Sequence, residues 1–200
     1  ITPDMKVPGS GILAHLDDDI EMSLENLAIL MITISDNTAT NMCIDFAGID
    51  DTNLLLREMG LTETTLRRKM QDPESISKSK ENVATPAECV AMLESLNQNV
   101  PSKKVATRCL QILKKPNAGP LKRVVPPTIT VASKPGGMDK VQCDAGIVFL
   151  PRFPYAVAIM SKFGMLDSLD HTDYILDIAQ LIFDTAKTIN DSNDFGLGIS

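Results

Sequence analysis

Apolar residues recur at helical spacing through the first two thirds of the chain and at strand spacing through most of the remainder. Ser23 caps a predicted helix reaching Ile34, and its apolar positions go nearly all the way round, so the helix is expected to be buried. A second helix, Thr40 to Ala47 with Met42, Cys43 and Phe46, stops at Gly48; a third, amphipathic, runs from Asp51 to Met59 and stops at Gly60. From Thr62 to Asn82 the pattern fails. Arg67-Arg68-Lys69, Asp72-Pro73 and the Ser/Lys stretch from Ser75 to Lys80 predict an exposed loop there. Thr85-Pro86-Ala87-Glu88 restarts a helix with a capping box and a proline at its first position. A further helix covers Ser102 to Lys115, and Pro116-Asn117-Ala118-Gly119-Pro120 breaks it.

After Pro126-Pro127 the period becomes that of strands. Thr128 to Ser133, Val141 to Leu150 and Tyr155 to Phe163 are joined by short Gly- and Pro-marked turns, which predicts antiparallel pairing. Asp170 to Thr188 is a terminal amphipathic helix, and the polar, Gly-rich tail is expected to fray. The class is therefore α+β, with a mainly helical domain over 1–125 and the C-terminal part of an α/β domain over 126–200. Tyr155-Ala156-Val157-Ala158-Ile159-Met160 is apolar at nearly every position, as in a central strand covered on both faces. A bare edge on such a strand invites aggregation. A partner is expected along the Tyr155–Phe163 strand: a segment preceding this sequence, a second chain, or a copy of itself.

The net charge of −7 and the pI near 4.8 argue against nucleic acid or an anionic membrane as the main partner. The longest apolar run, Leu27 to Ile34, falls well short of the roughly 18 residues of a membrane span. His15 and His171 stand far apart without ligand spacing, so no metal or cofactor is predicted. Cys43, Cys89, Cys109 and Cys143 form no Cys-x-x-Cys pair, and Cys43 and Cys89 read as buried thiols. Ile1-Thr2-Pro3-Asp4 reads like a chain entered partway along.

Two short motifs carry the chemistry. Ser35-Asp36-Asn37 follows the apolar run Leu30-Met31-Ile32 and precedes Thr38-Ala39-Thr40-Asn41; Lys134-Pro135-Gly136-Gly137 closes the β-branched run Thr128-Ile129-Thr130-Val131 about a hundred residues later. Taken alone, the first is a helix cap and the second a lysine before a turn. As an ordered pair with a helical region between them, they resemble the class A serine β-lactamases and their penicillin-binding relatives, and the likeness runs from about Val7 to Thr188. The resemblance implies a β-lactamase/transpeptidase-like fold, its sheet incomplete in this chain, and a β-lactam or peptide-like small substrate. It implies acyl-enzyme chemistry and an extracytoplasmic, periplasmic-type setting. By the same resemblance, Ser35 passes a proton to the leaving nitrogen, Asn37 holds the substrate's side-chain amide, and Asp36 locks the loop. Lys134 faces the substrate carboxylate and assists Ser35, Gly136 admits close approach of backbone to substrate, and the Gly137 N–H belongs to the oxyanion hole.

Three departures qualify the likeness. The family's Ser-x-x-Lys nucleophile has no counterpart before Ser35. The later matches, Ser75-Ile76-Ser77-Lys78 and Ser77-Lys78-Ser79-Lys80, lie in the polar loop, where a lysine is not desolvated. Pro135 stands where the family usually has Thr or Ser, which removes a hydroxyl from the carboxylate site. Thr65-Leu66-Arg67-Arg68-Lys69-Met70 resembles the start of the family's omega loop, with Arg68 as its structural arginine, but Met70 occupies the place of the deacylating glutamate. A thioether accepts no proton, so slow deacylation is expected; Glu74 or Glu81 could swing in as a substitute, although glutamates in an exposed loop are usually just solvated. The readings are a serine hydrolase completed by an outside nucleophile, a penicillin-binding or sensor-type module that acylates and stalls, and a non-catalytic truncated relative.

Overall fold

The computed structural model describes residues 1–138, 140–162 and 171–198. These fold into eight α-helices and a three-stranded antiparallel sheet among the described residues. The helices are α1 Leu24–Thr33, α2 Asn37–Ala47, α3 Ile49–Glu58, α4 Pro73–Ser77, α5 Pro86–Asn97, α6 Lys103–Leu113, α7 Pro120–Val124 and α8 His171–Asn190. The strands are β1 Val131–Met138, β2 Val141–Val148 and β3 Tyr155–Lys162, in the order β1-β2-β3. Contacts group the chain into Ile1–Glu88 and Cys89–Ser200.

In Ile1–Glu88, α1 packs on α2 around Leu13, Leu27 and Ala39. The Ser23 hydroxyl accepts from the Asn26 N–H at 3.2 Å and fixes the start of α1, and Gly48, at φ 79°, ends α2. The expectation that α1 is buried does not hold in this chain: Leu27 is its one buried residue, while Leu24 is 40% exposed. An all-round apolar helix needs cover on every side, and α2 provides it on one. Cys43 and Cys89 are likewise half-buried, and none of the four cysteines is in a disulfide. The Thr62–Asn82 loop contains the short helix α4, capped by Asp72, whose carboxylate accepts from the Ser75 N–H at 3.0 Å. The capping box at Thr85 is half formed: the Thr85 hydroxyl accepts from the Glu88 N–H at 3.2 Å. The Glu88 carboxylate turns instead to the Glu63 and Thr64 N–H groups and the Thr64 hydroxyl, which together hold its pKa below the usual carboxylate range.

In Cys89–Ser200, α8 packs on β2 and β3, and α6 and α7 pack on β1. Leu121, Val148, Ile175, Ala179 and Phe183 form the centre of this core. Val131 pairs with Val148, and Met138 with Val141, along β1 and β2. The Lys134–Gly137 segment therefore lies inside a strand rather than at a turn, which corrects the sequence reading. Proline is tolerated there because β1 is an edge strand, where a missing N–H need break no ladder bond. The Thr128–Thr130 stretch precedes the strand, and α7, unpredicted, fills the break after α6. Val141 to Val148 pairs with β3 along its whole length, and no strand lies on the other edge of β3 among the described residues. Phe163 and Asp170, the expected limits of β3 and α8, lie outside the described residues.

Candidate active site

Ser35 sits where α1 ends and α2 begins, at φ 54°, a left-handed backbone that a non-glycine residue adopts only when its surroundings impose it. Asp36 supplies the constraint. Its side chain is 1% exposed; one carboxylate oxygen accepts from the Ile12 and Leu13 N–H groups at 2.7 and 2.9 Å, and the other from the Ala39 N–H at 2.9 Å. Asp36 is thus the cap of α2 and also the anchor that ties the junction to residues 12 and 13. Gly11, at φ 107°, is required beside it, because a Cβ there would collide with the Asp36 carboxylate. Asn37 is bound to the same upstream segment: its N–H donates to the Ser10 carbonyl at 2.9 Å and its side-chain amide to the Pro8 carbonyl at 2.9 Å.

The segment from Leu66 to Met70 is stitched down by three asparagine side chains, each of which both donates and accepts. Asn53 takes the Leu66 N–H at 2.8 Å and gives to its carbonyl at 2.7 Å. Asn82 takes the Arg67 and Arg68 N–H groups at 2.8 and 3.0 Å and gives to the Arg68 carbonyl at 3.1 Å. Asn41, buried on α2, takes the Met70 N–H at 2.7 Å and gives to its carbonyl at 3.0 Å. Arg68 closes the neck of the loop on Glu81 through its Nε and Nη2 atoms at 3.1 and 2.5 Å. Glu81 is therefore engaged, and Glu74 pairs with Lys78 at 2.5 Å with its side chain 78% exposed. Neither is poised as a base in place of Met70. In the exposed Ser/Lys matches, Ser77 spends its hydroxyl on the Glu74 carbonyl at 2.8 Å.

On β1, Lys134 is half-buried and its ammonium donates to the Pro135 carbonyl at 2.6 Å. Burial lowers its pKa, and the Cys143 and Asp144 side chains oppose that shift. Gly136 pairs with Cys143, and a Cβ on Gly136 would meet the Cys143 sulfur at 2.7 Å, so any side chain here would have to displace that sulfur. Behind the strand, the Asn117 amide donates to the Ser133 carbonyl at 2.9 Å while its oxygen accepts from the Gly119 N–H at 3.0 Å. Asp144, opposite Pro135 and fully buried, accepts from the Leu121 N–H at 2.9 Å. Its second oxygen and the Ser133 hydroxyl have no hydrogen-bond partner.

Burial pushes the Asp144 carboxyl up to about 6, against the pull of two backbone N–H groups and of Lys122 and Lys134. Its value in the unfolded chain is lower, near 3.8, so the ionised carboxylate penalises the fold above both values. That penalty fades as pH falls through about 6 and is gone below about 4. Asp144→Asn, which keeps an acceptor for the Leu121 N–H, is expected to stabilise the protein by about 2 kcal/mol at pH 8 and to change it little at pH 4. Thermal melts at the two pH values check this; an equal effect at both would assign the change to packing.

The sequence profile of the beta-lactamase enzyme family matches residues 1–186. The chain belongs to that family. Among solved structures, a β-lactamase from Sphaerobacter thermophilus is 32% identical, with a TM-score of 0.82 over 94% of this chain and 72% of that one. A PBP-A variant, seen as an acyl-enzyme complex with penicillin G, is 27% identical, with a TM-score of 0.80 over 93% of this chain and 70% of that one. A class A β-lactamase representative from Bacteroides cellulosilyticus is 25% identical, with a TM-score of 0.76 over 84% of this chain and 65% of that one. No curated protein matches. Family and fold are those of a β-lactamase-like hydrolase, and no described helix is long and apolar enough to cross a membrane.

Of the residues singled out by sequence, Ser35, Asp36, Asn37 and Arg68 fall within Ile1–Glu88 of this β-lactamase-family chain, and Lys134, Pro135, Gly136 and Gly137 within Cys89–Ser200. Four further residues had been given no role from the sequence. Asn41, Asn53 and Asn82 act on backbone 13 to 29 positions away, and Asp144 on a helix start 23 positions away, so no local spacing marks them.

Proposed function

We propose that these residues form the larger part of a class A-type acyl-transfer site acting on a β-lactam or related amide, with the Ser-x-x-Lys nucleophile supplied from outside this sequence. The observation that carries the reading is the Ser35–Asn37 junction, held in a left-handed turn by a buried carboxylate with three backbone N–H bonds. In this reading the lysine of the incoming Ser-x-x-Lys pair takes the serine proton as the serine oxygen attacks the amide carbon, and the Gly137 N–H stabilises the oxyanion by about 3 kcal/mol. As the C–N bond breaks, Ser35 relays that proton from the lysine to the leaving nitrogen, receiving one as it gives one, while Lys134 holds the substrate carboxylate and Asn37 its side-chain amide. Pro135 offers that carboxylate no hydroxyl. Asp36 and the Arg68–Glu81 pair position the two loops.

Water must then cleave the acyl ester, and this is the slow step. Met70 accepts no proton, and Glu74 and Glu81 are bound to Lys78 and Arg68. These three observations favour a penicillin-binding or sensor-type role, in which the acyl group stays for long times, over efficient resistance. The setting proposed is extracytoplasmic. The open edge of β3 is proposed to receive a strand from the polypeptide that brings the nucleophile.

A chromogenic cephalosporin tests the reading, given to the 200-residue chain and to the longest native polypeptide containing it. The expected result is no colour with the short chain and a stoichiometric burst followed by slow turnover with the long one. Lys134→Ala in the long form should slow the burst on the order of a hundredfold or more, by loss of the carboxylate's counter-charge. Absence of a burst from the long form would refute the proposal.

A further inference from the structure

Charge is unevenly spread along the chain. Between residues 95 and 138 lie eight of the 19 Lys and Arg residues and not one Asp or Glu, although the protein as a whole carries −7. Lys103 and Lys104 occupy the first turn of α6, the end at which the helix dipole disfavours cations. Among the described residues, Lys103, Lys104, Lys114, Lys115, Lys122 and Arg123 make no ion pair. Elsewhere Lys6, Arg68, Lys69, Lys78 and Lys187 each find a carboxylate, while Arg57, Arg67, Lys80 and Arg152 do not among the described residues.

A cavity of about 360 Å³ opens where α6 ends, between α7 and the segment entering β1. Lys114 and Lys122 line it, together with Val125, Pro127, Ile129 and Val131, and no carboxylate reaches its wall. Both ammonium groups are held in place. Lys114 stands 4.3 Å over the Phe149 ring. Lys122, half-buried, donates to the Leu113 carbonyl at 2.8 Å and to the Lys115 carbonyl, which uses two of its three hydrogens. Asp144 acts on Lys122 only at longer range.

We infer that this cavity binds an amphipathic anion, a phosphate monoester or carboxylate on an aliphatic body, with its head between Lys114 and Lys122 and its body against Val125, Pro127, Ile129 and Val131. Paired cations over an apolar floor discriminate against both halves of such a ligand taken separately. A free phosphate leaves the floor wet, and a neutral alcohol leaves the ammonium groups unanswered. The volume suits a chain of about ten carbons and is too small for a folded polymer.

Titration calorimetry of the protein with decyl phosphate, below its micellar concentration, tests the inference. Saturable one-to-one binding is expected, with inorganic phosphate and decanol each weaker by about tenfold or more. Lys114→Gln and Lys122→Met should each weaken decyl phosphate about tenfold, the loss of one charge-assisted contact. Lys103→Gln, outside the cavity, should leave it unchanged. Lys114 is exposed and its ammonium donates to no backbone carbonyl, so its variant carries the test even if Lys122→Met unfolds. No saturable binding, equal binding of inorganic phosphate, or indifference to Lys114→Gln would overturn the inference.

Discussion

Asp36→Ala is expected to destabilise the protein by about 4 kcal/mol, because it strands the Leu13 and Ala39 N–H groups in a buried site and the Ile12 N–H in a half-buried one. Each orphaned donor costs about 1–3 kcal/mol, and a domain commands only about 5–15 kcal/mol in all, so the α1–α2 junction should lose its fixed form. The void cannot be refilled from the Gly11 side, since that backbone already lies against the carboxylate. Asp36→Asn keeps one accepting oxygen and should lose about half as much. Denaturant unfolding of the three proteins measures the series. A loss under about 1 kcal/mol for the alanine variant would mean that the bonds of Asn37 and Thr38 to residues 7–10 hold the turn unaided.

Met70→Glu should have the largest effect on the proposed chemistry. A general base positioned for an attacking water contributes about 10²- to 10⁴-fold, and the wild-type side chain contributes none of it. The backbone at this position is already fixed on both its N–H and its carbonyl by Asn41, so a carboxylate placed there is delivered from a rigid support. In the long native form, the lifetime of the penicilloyl adduct is expected to fall by about a hundredfold or more. Acylation itself should change little, because Ser35 and Lys134 are untouched. An unaltered lifetime would show that Met70 is not the position from which the deacylating water is activated.

What could be read from the sequence divides along a physical line. Ser23 and Ser102 announced helix starts, and Gly48 a helix end, because a cap acts on backbone within one turn of itself; Ser35-Asp36-Asn37 was legible as a cap, yet α2 starts at Asn37, three residues before the expected Thr40. The three strands were legible from their period, but the limits of β1 were not. Proline and two glycines read as a turn, whereas an edge position and the Cys143 sulfur make that composition suitable inside a strand. The all-round apolar face of α1 was read correctly as a pattern, yet burial depends on what lies against a helix, and a pattern does not contain that. Ser-Asp-Asn and Lys-x-Gly were visible because each is contiguous. The asparagine clamps on Leu66–Met70 and the buried Asp144 behind Lys134 join residues that only the fold brings together, and nothing in the local sequence distinguishes them from surface amides and acids.

The most direct test of the central claim, that this chain provides a site without its nucleophile, is denaturing intact-mass spectrometry after incubation with penicillin G. The 200-residue chain is expected to stay unmodified. In the longest native form, or in a complex with a second chain, one penicilloyl group should appear on a serine outside residues 1–200. An adduct on any serine of this chain, Ser75 and Ser77 included, would contradict the claim.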